Sequence, residues 1–271
     1  MPHINGPLYA EAMGPVDAPP MIFVHPNPMD SATWLYQMAH FSTWYRCISI
    51  DLPGYGRSPS ATEGLTMEDI ADACWEAADR FTSSPEKSVL VGCSVGSNVV
   101  QHMYHRRPAS TDSVIVCGTG YSPEKEFAPR RIAAYTEHGI DYRYDYTLQD
   151  LSPEFRKTPL AHWLATLFSE RNGTADLDTI ILMFEALGIP DPDWLQNDLD
   201  VPTIIITGSL DNAHATAGAL LERLPRGEMF IVEGAGHACQ IEQPWVFDAE
   251  VMRFLRANGH EQLPEPTTIV G

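Results

Sequence analysis

Short runs of β-branched and other apolar residues alternate with longer amphipathic stretches along most of the chain. The runs Met21 to Val24, Cys47 to Asp51, Ser88 to Gly92, Ser113 to Cys117, Thr203 to Thr207 and Glu228 to Val232 read as strands. Within them, Val89 to Val91 and Ile204 to Ile206 are apolar without alternation, the pattern of strands covered on both faces. The longer stretches predict helices over Thr66 to Phe81, opened by a Thr66/Asp69 capping pair, and over Gly96 to Arg106, Asn212 to Leu224 and Gln243 to Arg256. Strand and helix in alternation predict the α/β class, a mostly parallel sheet with helices on both faces.

One interval breaks this rhythm. About 85 residues separate Cys117 from Pro202, whereas a crossover between parallel strands needs only a dozen or so, which leaves roughly 60 to 70 residues inserted. The insert has apolar periodicity of its own (Leu160, Trp163, Leu164, Leu167, Phe168; Ile180, Ile181, Phe184, Leu187), so it reads as amphipathic helices rather than a linker. The expected organisation is a core of residues 1–118 and 200–258, a helical cap over 119–199 placed before the second-last strand, and a weakly held tail over 259–271.

The charge balance narrows the partners. Seventeen basic residues against 36 acidic ones give a net charge of −19 among 271 residues. Binding a phosphate backbone or an anionic membrane face relies on basic side chains, so nucleic acid and membrane are not expected as partners. No run approaches the roughly 20 apolar residues of a membrane span, and Met1 to Pro20 has five prolines and no basic leader. The five cysteines form no C-x-x-C pair, which suits reduced thiols and a cytoplasmic address, with the Asn172-Gly173-Thr174 sequon a coincidence. Assembly into a homo-oligomer is left open.

The strongest chemical signal is Gly92-Cys93-Ser94-Val95-Gly96, a G-x-S-x-G set between a buried strand and a helix. A serine in that context stands on a tight turn at the strand's end, with glycines two residues either side admitting the neighbouring backbone. Cys93 reads as a small core residue. A serine hydroxyl is a poor nucleophile at neutral pH and needs a base, which in turn needs a carboxylate to orient it. The chain supplies Asp211 just past one strand and His237 just past the next, in the order Ser, Asp, His. Cys117-Gly118-Thr119, at the end of the strand before the insert, offers no substitute carboxylate.

From Met21 to about Leu255 the chain resembles the α/β-hydrolase superfamily, in its cap-bearing serine esterase-like branch. Asp51-Leu-Pro-Gly54-Tyr-Gly56-Arg-Ser58 is similar to that family's D-x-x-G-x-G-x-S turn, and His237 through Glu242 to Pro244 to its G-H-x-x-x-x-E-x-P ending. Both are structural markers. The resemblance implies an oxyanion hole from the backbone N–H groups of Asn27 and Val95. Where the family usually reads H-G-x-P, this chain has His25-Pro26-Asn27-Pro28, with Trp34 downstream; the proline removes no required donor but restricts the loop. The Asn27 side chain is either a further donor or a brace for the loop, and His25 reads as a buried brace.

Other candidates carry less. His102 and His105 stand at i, i+3 with no accompanying ligand set, so no metal is expected, and no dinucleotide or P-loop motif points to a cofactor. Tyr142, Tyr144 and Tyr146 suit a pocket wall or a polar-faced segment equally. Trp163, Phe168 and Phe184 of the insert, together with Met29, are candidate substrate contacts. The expectation is a cofactor-independent serine hydrolase cleaving a small, uncharged carboxylic ester or lactone through an acyl-enzyme. Dehalogenases and epoxide hydrolases of similar sequence have Asp where this chain has Ser94. Hydrolases that cut carbon–carbon bonds of ring-cleavage diketones keep the same three residues and are the nearest rival; a ligand-binding or cofactor-free oxygenase member of the fold is the other.

Overall fold

The computed structural model describes residues 3–120, 127–189 and 194–263. Seven strands form one sheet there: β1 (Ala10–Met13), β2 (Pro20–Val24), β3 (Arg46–Ile50), β4 (Ser88–Cys93), β5 (Thr111–Cys117), β6 (Thr203–Gly208) and β7 (Gly227–Val232). Their order is β1-β3-β2-β4-β5-β6-β7, parallel throughout except for β1, which runs antiparallel to β3 at the edge. The six expected strands are present with ends shifted by a residue or two. The strand that sequence reading passes over is β1: its Ala-Glu-Ala-Met run has no β-branched residue and is stabilised by pairing with Ile48 and Ile50 rather than by its own pattern.

Every residue of β2, β4 and β6 is buried. Alternate side chains serve opposite faces: Ile22, Val24, Leu90, Val114 and Ile205 join one apolar cluster, and Met21, Phe23, Val89, Val91, Ile115 and Ile204 another. Full burial of each such side chain contributes about 1.5–3 kcal/mol. The second cluster is covered by α1 (Leu35–Phe41), which the sequence pattern does not single out, through Met38 and Phe41. The first is covered by α2 (Met67–Asp79) and α3 (Val95–Arg106). Thr66 caps α2 in a reciprocal box, its hydroxyl accepting from Asp69 N at 3.1 Å while its own N–H donates to the Asp69 carboxylate at 3.2 Å.

The long interval between β5 and β6 folds as α4 (Phe127–His138), α5 (Arg143–Asp150), α6 (Pro159–Arg171), α7 (Leu177–Leu187) and a single turn, α8 (Trp194–Asn197). Thr158 caps α6 with Pro159 at the first helical position, and Asp176 caps α7 by accepting from Asp178 and Thr179 N. The insert is fixed to the core by charge as well as apolar contact. Arg171 Nε lies 2.7 Å from Asp30 Oδ2, and Asn172 Oδ1 accepts from Gly56 N at 2.8 Å. Asn172 is fully buried by those contacts, so its sequon presents no glycosylation surface.

Beyond β6 come α9 (His214–Leu221), a single turn α10 (Cys239–Glu242) and α11 (Pro244–Ala257). The tail differs from expectation in its first part. His260 bridges Tyr45 Oη at 2.8 Å and Asp112 Oδ2 at 2.7 Å, and Leu263 is buried, so residues 259–263 are docked on the core. Residues 264–271 lie outside the described residues. All five cysteines are buried free thiols, and among the described residues no helix is long and apolar enough to cross a membrane.

Candidate active site

The register of the sheet decides what meets at its C-terminal edge. Val24 pairs with Gly92, Cys93 with Cys117, Cys117 with Ile206 and Gly208 with Val232, so Asn27, Ser94, Gly118, Asp211 and His237 all leave the same edge.

Ser94 has φ +55° and ψ −120°, and it is the one non-glycine residue with positive φ among the described residues. That conformation costs on the order of 1–3 kcal/mol and persists only where surroundings fix it. Here Ser94 N donates to Cys117 O at 2.9 Å, and Ser97 Oγ lies 2.9 Å from Gly92 O and 2.8 Å from Cys117 O. The flanking glycines are steric necessities: a Cβ on Gly92 would run into the Gly96 carbonyl, and one on Gly96 into the Val24 carbonyl. Val95 opens α3, so its N–H belongs to the first turn, which intrahelical bonding leaves unpaired.

His237 Nδ1 stands 2.9 Å from Asp211 Oδ1. The Asp211 side chain is only 3% exposed, and the same Oδ1 also accepts from Ala213 N at 3.0 Å, which is why α9 starts two residues later than its apolar pattern suggests. Burial pushes the Asp211 carboxyl up, but the charge and hydrogen bond of the imidazole and the Ala213 N–H outweigh it and leave its pKa below the usual value. Burial pushes His237 down, and the Asp211 carboxylate, with help from Asp150, reverses this and raises it well above 6.5. The imidazole lies close to the ends of β4 and β5: a Cβ added to Gly118 would be 3.1 Å from His237 Cε1 and 3.2 Å from Cys93 Sγ.

On the other side, His25 is fully buried, its Nε2 accepting from Leu52 N at 2.9 Å while Nδ1 lies 2.9 Å from Pro26 O. Desolvation lowers its pKa, so it is a neutral brace between two strand ends. Asn27 is 3% exposed. Its Oδ1 accepts from the hydroxyls of Tyr55 and Tyr135, and its Nδ2 has no partner among the described residues. The side chain therefore braces the loop through its oxygen and keeps its donor unpaired.

Of the candidate substrate contacts, Met29 and Phe168 share one apolar cluster with Leu151, Ala161, Leu164, Ala238 and Ile241, which adjoins His237 through Ala238. Phe184 lies apart, packed on Tyr135 with ring centroids 6.2 Å apart. Trp163 is 58% exposed, so the helical spacing that grouped it with Leu164 and Phe168 places it off their buried face. Tyr142 and Tyr146 pack with Tyr135, and Tyr144 bonds His162. His105 bonds Leu195 O at 2.7 Å, and no group that could hold a metal ion occurs among the described residues.

Four residues near the site escape sequence reading in whole or part. Tyr55 lies between the glycines of the Asp51–Ser58 turn, the one hint of its place; Tyr135 and Asp150 come from the insert with no local signal. Glu242 is legible as a marker, but its partners are not: its Oε1 accepts from Gly236 N and Ser152 N, each at 3.0 Å.

The model of the alpha/beta hydrolase family matches residues 21–249. An uncharacterized carboxylesterase of Bacillus subtilis is 25% identical over 267 residues, covering 93% of this chain and 84% of that protein. The 3-oxoadipate enol-lactonase 1 of Acinetobacter baylyi is 23% identical over 252 residues, covering 89% and 90%. Among solved structures, the enol-lactonase from Burkholderia xenovorans superposes with a TM-score of 0.79 at 19% identity, over 94% of this chain and 100% of that one. A thermophilic esterase from Thermogutta terrifontis gives 0.78 at 24% identity over 93% of each.

Proposed function

Because the chain belongs to the alpha/beta hydrolase family, we propose that it is a serine hydrolase cleaving a small carboxylic ester or lactone through an acyl-enzyme. The observation that carries this is the His237–Asp211 pair at 2.9 Å, on the sheet edge where Ser94 is held at φ +55°. The names of its relatives, carboxylesterase and enol-lactonase, support the ester and lactone class.

In this reading Ser94 Oγ attacks the carbonyl carbon while His237 Nε2 takes its proton. Asp211 keeps Nδ1 protonated and offsets the imidazolium charge. The tetrahedral oxygen is held by the backbone N–H groups of Asn27 and Val95, the latter assisted by the positive end of α3. Collapse expels the alcohol, which takes the proton from His237. Water then repeats the sequence on the acyl-enzyme, and for a lactone the expelled alcohol stays attached to the product. The inserted helices act as a cap whose Phe168, with Met29 of the core, borders the acyl group.

The test is a hydrolysis screen over esters of graded acyl length, lactones, amides and vinylogous diketones, with wild type and Ser94→Ala in parallel and fluorophosphonate labelling of both. Ester or lactone turnover and labelling that vanish together in Ser94→Ala are the expected result. Turnover of diketones alone would replace this reading with carbon–carbon bond hydrolysis, and undiminished turnover in the alanine variant would overturn the serine mechanism.

A further inference from the structure

Beside the His237–Asp211 pair stands a second carboxylate that the mechanism above does not use. Asp150 is the last residue of α5, and its backbone carbonyl accepts the His237 N–H at 2.8 Å. The insert is thus bonded to the main chain of the histidine itself. Two residues on, Ser152 N donates to Glu242 Oε1, the same oxygen that accepts from Gly236 N. The two chains approach so closely that a Cβ on Gly236 would lie 2.7 Å from Ser152 N and 2.9 Å from Asp150 O. Glycine before the histidine is therefore a requirement of this contact.

The Asp150 side chain is turned inward and only 12% exposed. Arg131 of α4 is its ion partner, and the charges of His237, Asp211 and Arg156 and the Tyr135 and Tyr146 hydroxyls also act on it electrostatically. Arg131 Nη2 is 4.0 Å from Asp150 Oδ1, and its guanidinium lies 3.5 Å from the Tyr146 ring centre. Burial pushes the Asp150 carboxyl up to about 6, and the positive charges of His237, Arg131 and Arg156 oppose that rise. Above that pH it is a carboxylate in a site largely closed to water, where an ionic neighbour acts with little screening.

We propose that Asp150 is a second carboxylate partner of His237, a positioning residue supplied by the insert, which stabilises positive charge on the imidazole as long as the insert is seated. It takes no proton in the reaction: the serine proton passes to His237 Nε2 and on to the leaving group, while both carboxylates stay ionised. The division of labour is geometric. Asp211 bonds Nδ1 and sets the ring's orientation; Asp150 acts across space on the charge and through its own carbonyl on the loop. Seating of the insert and readiness of the base are thereby coupled.

The inference rests on His237 being the base, and the experiment keeps the two apart. His237→Ala should abolish fluorophosphonate labelling of Ser94; normal labelling would overturn the base assignment and this inference with it. With that requirement established, Asp150→Asn, which keeps the side chain's shape, should move the acid limb of the kcat/KM profile about one pH unit lower and reduce kcat with KM nearly constant. A direct reading comes from NMR titration of the His237 imidazole in Ser94→Ala with and without Asp150→Asn, where the same downward shift is expected. Should Asp150→Asn fold poorly, Asp150→Glu, which retains the charge, should preserve the limb position in the protein that does fold. A limb and an imidazole titration unmoved by Asp150→Asn, with only the melting temperature lowered, would reduce Asp150 to a structural tie and overturn the proposal.

Discussion

Asp211 Oδ1 is shared between His237 Nδ1 at 2.9 Å and Ala213 N at 3.0 Å, so one carboxylate oxygen fixes both the imidazole and the turn that leads into the next helix. The other oxygen, Oδ2, is buried with no partner among the described residues. Asparagine at this position has two bad choices. With its oxygen at Oδ1 it puts an unpaired amide donor in the Oδ2 position, and with its nitrogen there it faces the Ala213 N–H and forces the imidazole into the wrong tautomer. Asp211→Asn is expected to lose on the order of 10³- to 10⁴-fold in kcat with a much smaller change in KM. Steady-state kinetics with a chromogenic ester checks this, and a near-normal kcat would mean that another acid orients His237.

The pH dependence follows from the same pair. His237 has its pKa raised above the ordinary 6.5 because the Asp211 and Asp150 carboxylates outweigh its burial. In the proposed mechanism His237 must be unprotonated to accept the serine proton, so activity should be lost as pH falls through that raised value. The acid limb of kcat/KM is expected to lie alkaline of pH 6.5. The linkage to stability has the opposite direction: a raised histidine contributes fully below pH 6.5 and its contribution fades as pH rises through the folded-state value. Maximum stability should therefore occur at a lower pH than maximum activity, a separation that paired melting and rate profiles measure.

How much of this was legible depends on whether the signal is local. Strands β2, β4 and β6 declare themselves because burial on both faces makes each a largely apolar run, and Ser94 because its turn demands Gly92 and Gly96 within two residues. Asp211 and His237 follow from the strands they terminate. What escaped is held by distant partners. Tyr135 reaches Asn27 across 108 positions, His260 reaches Asp112 across 148, and Asp150 adjoins His237 only because the insert folds back onto the edge. Trp163 shows the complementary limit: spacing groups apolar residues on one helical face but does not say how wide the buried stripe is.

The Arg171–Asp30 ion pair offers a pH-dependent test of how the insert is held. Asp30 is fully buried; its burial raises the carboxyl's pKa and Arg171 at 2.7 Å opposes that rise. Arg171→Met keeps the stem's packing and leaves the carboxylate with Asn172 Nδ2 and Ala32 N as its polar contacts. A loss of about 1–3 kcal/mol is expected at pH 7, below the full cost for a buried pair because Arg171 is partly exposed. Asp30 has a folded-state pKa above its unfolded one, and removing the arginine raises it further, so the variant protonates Asp30 earlier on acidification. The stability gap should accordingly begin to narrow as pH falls through the variant's raised Asp30 value and close once it has fallen through the wild type's, both of which lie above the ordinary carboxyl value. Denaturant melts at pH 7 and across this acid range decide it; a gap constant with pH would mean that packing, not charge, joins Arg171 to the core.

Phe168 and Phe184 are equally buried, yet they should behave differently when truncated. Phe184 packs among Tyr135, Ile180 and Met183 on the apolar cluster that backs the sheet, so Phe184→Ala should cost about 3–5 kcal/mol of stability and leave the order of preferred substrates unchanged. Phe168 shares its cluster with Met29, two residues after Asn27, and with Ala238, the neighbour of His237. Phe168→Ala should also destabilise, and under the proposed function it should in addition open space on the acyl side of the site. A longer acyl chain can fill that space, and each added methylene in an apolar pocket is worth roughly 1–3 kcal/mol of transition-state binding. The expected outcome is a shift of the kcat/KM optimum toward longer acyl esters in Phe168→Ala and no shift in Phe184→Ala, measured below the melting temperature of both. If the two variants rank the ester series alike, the wall of the acyl site is not built from α6, and the loop from Asn27 to Met29 is left to set chain length.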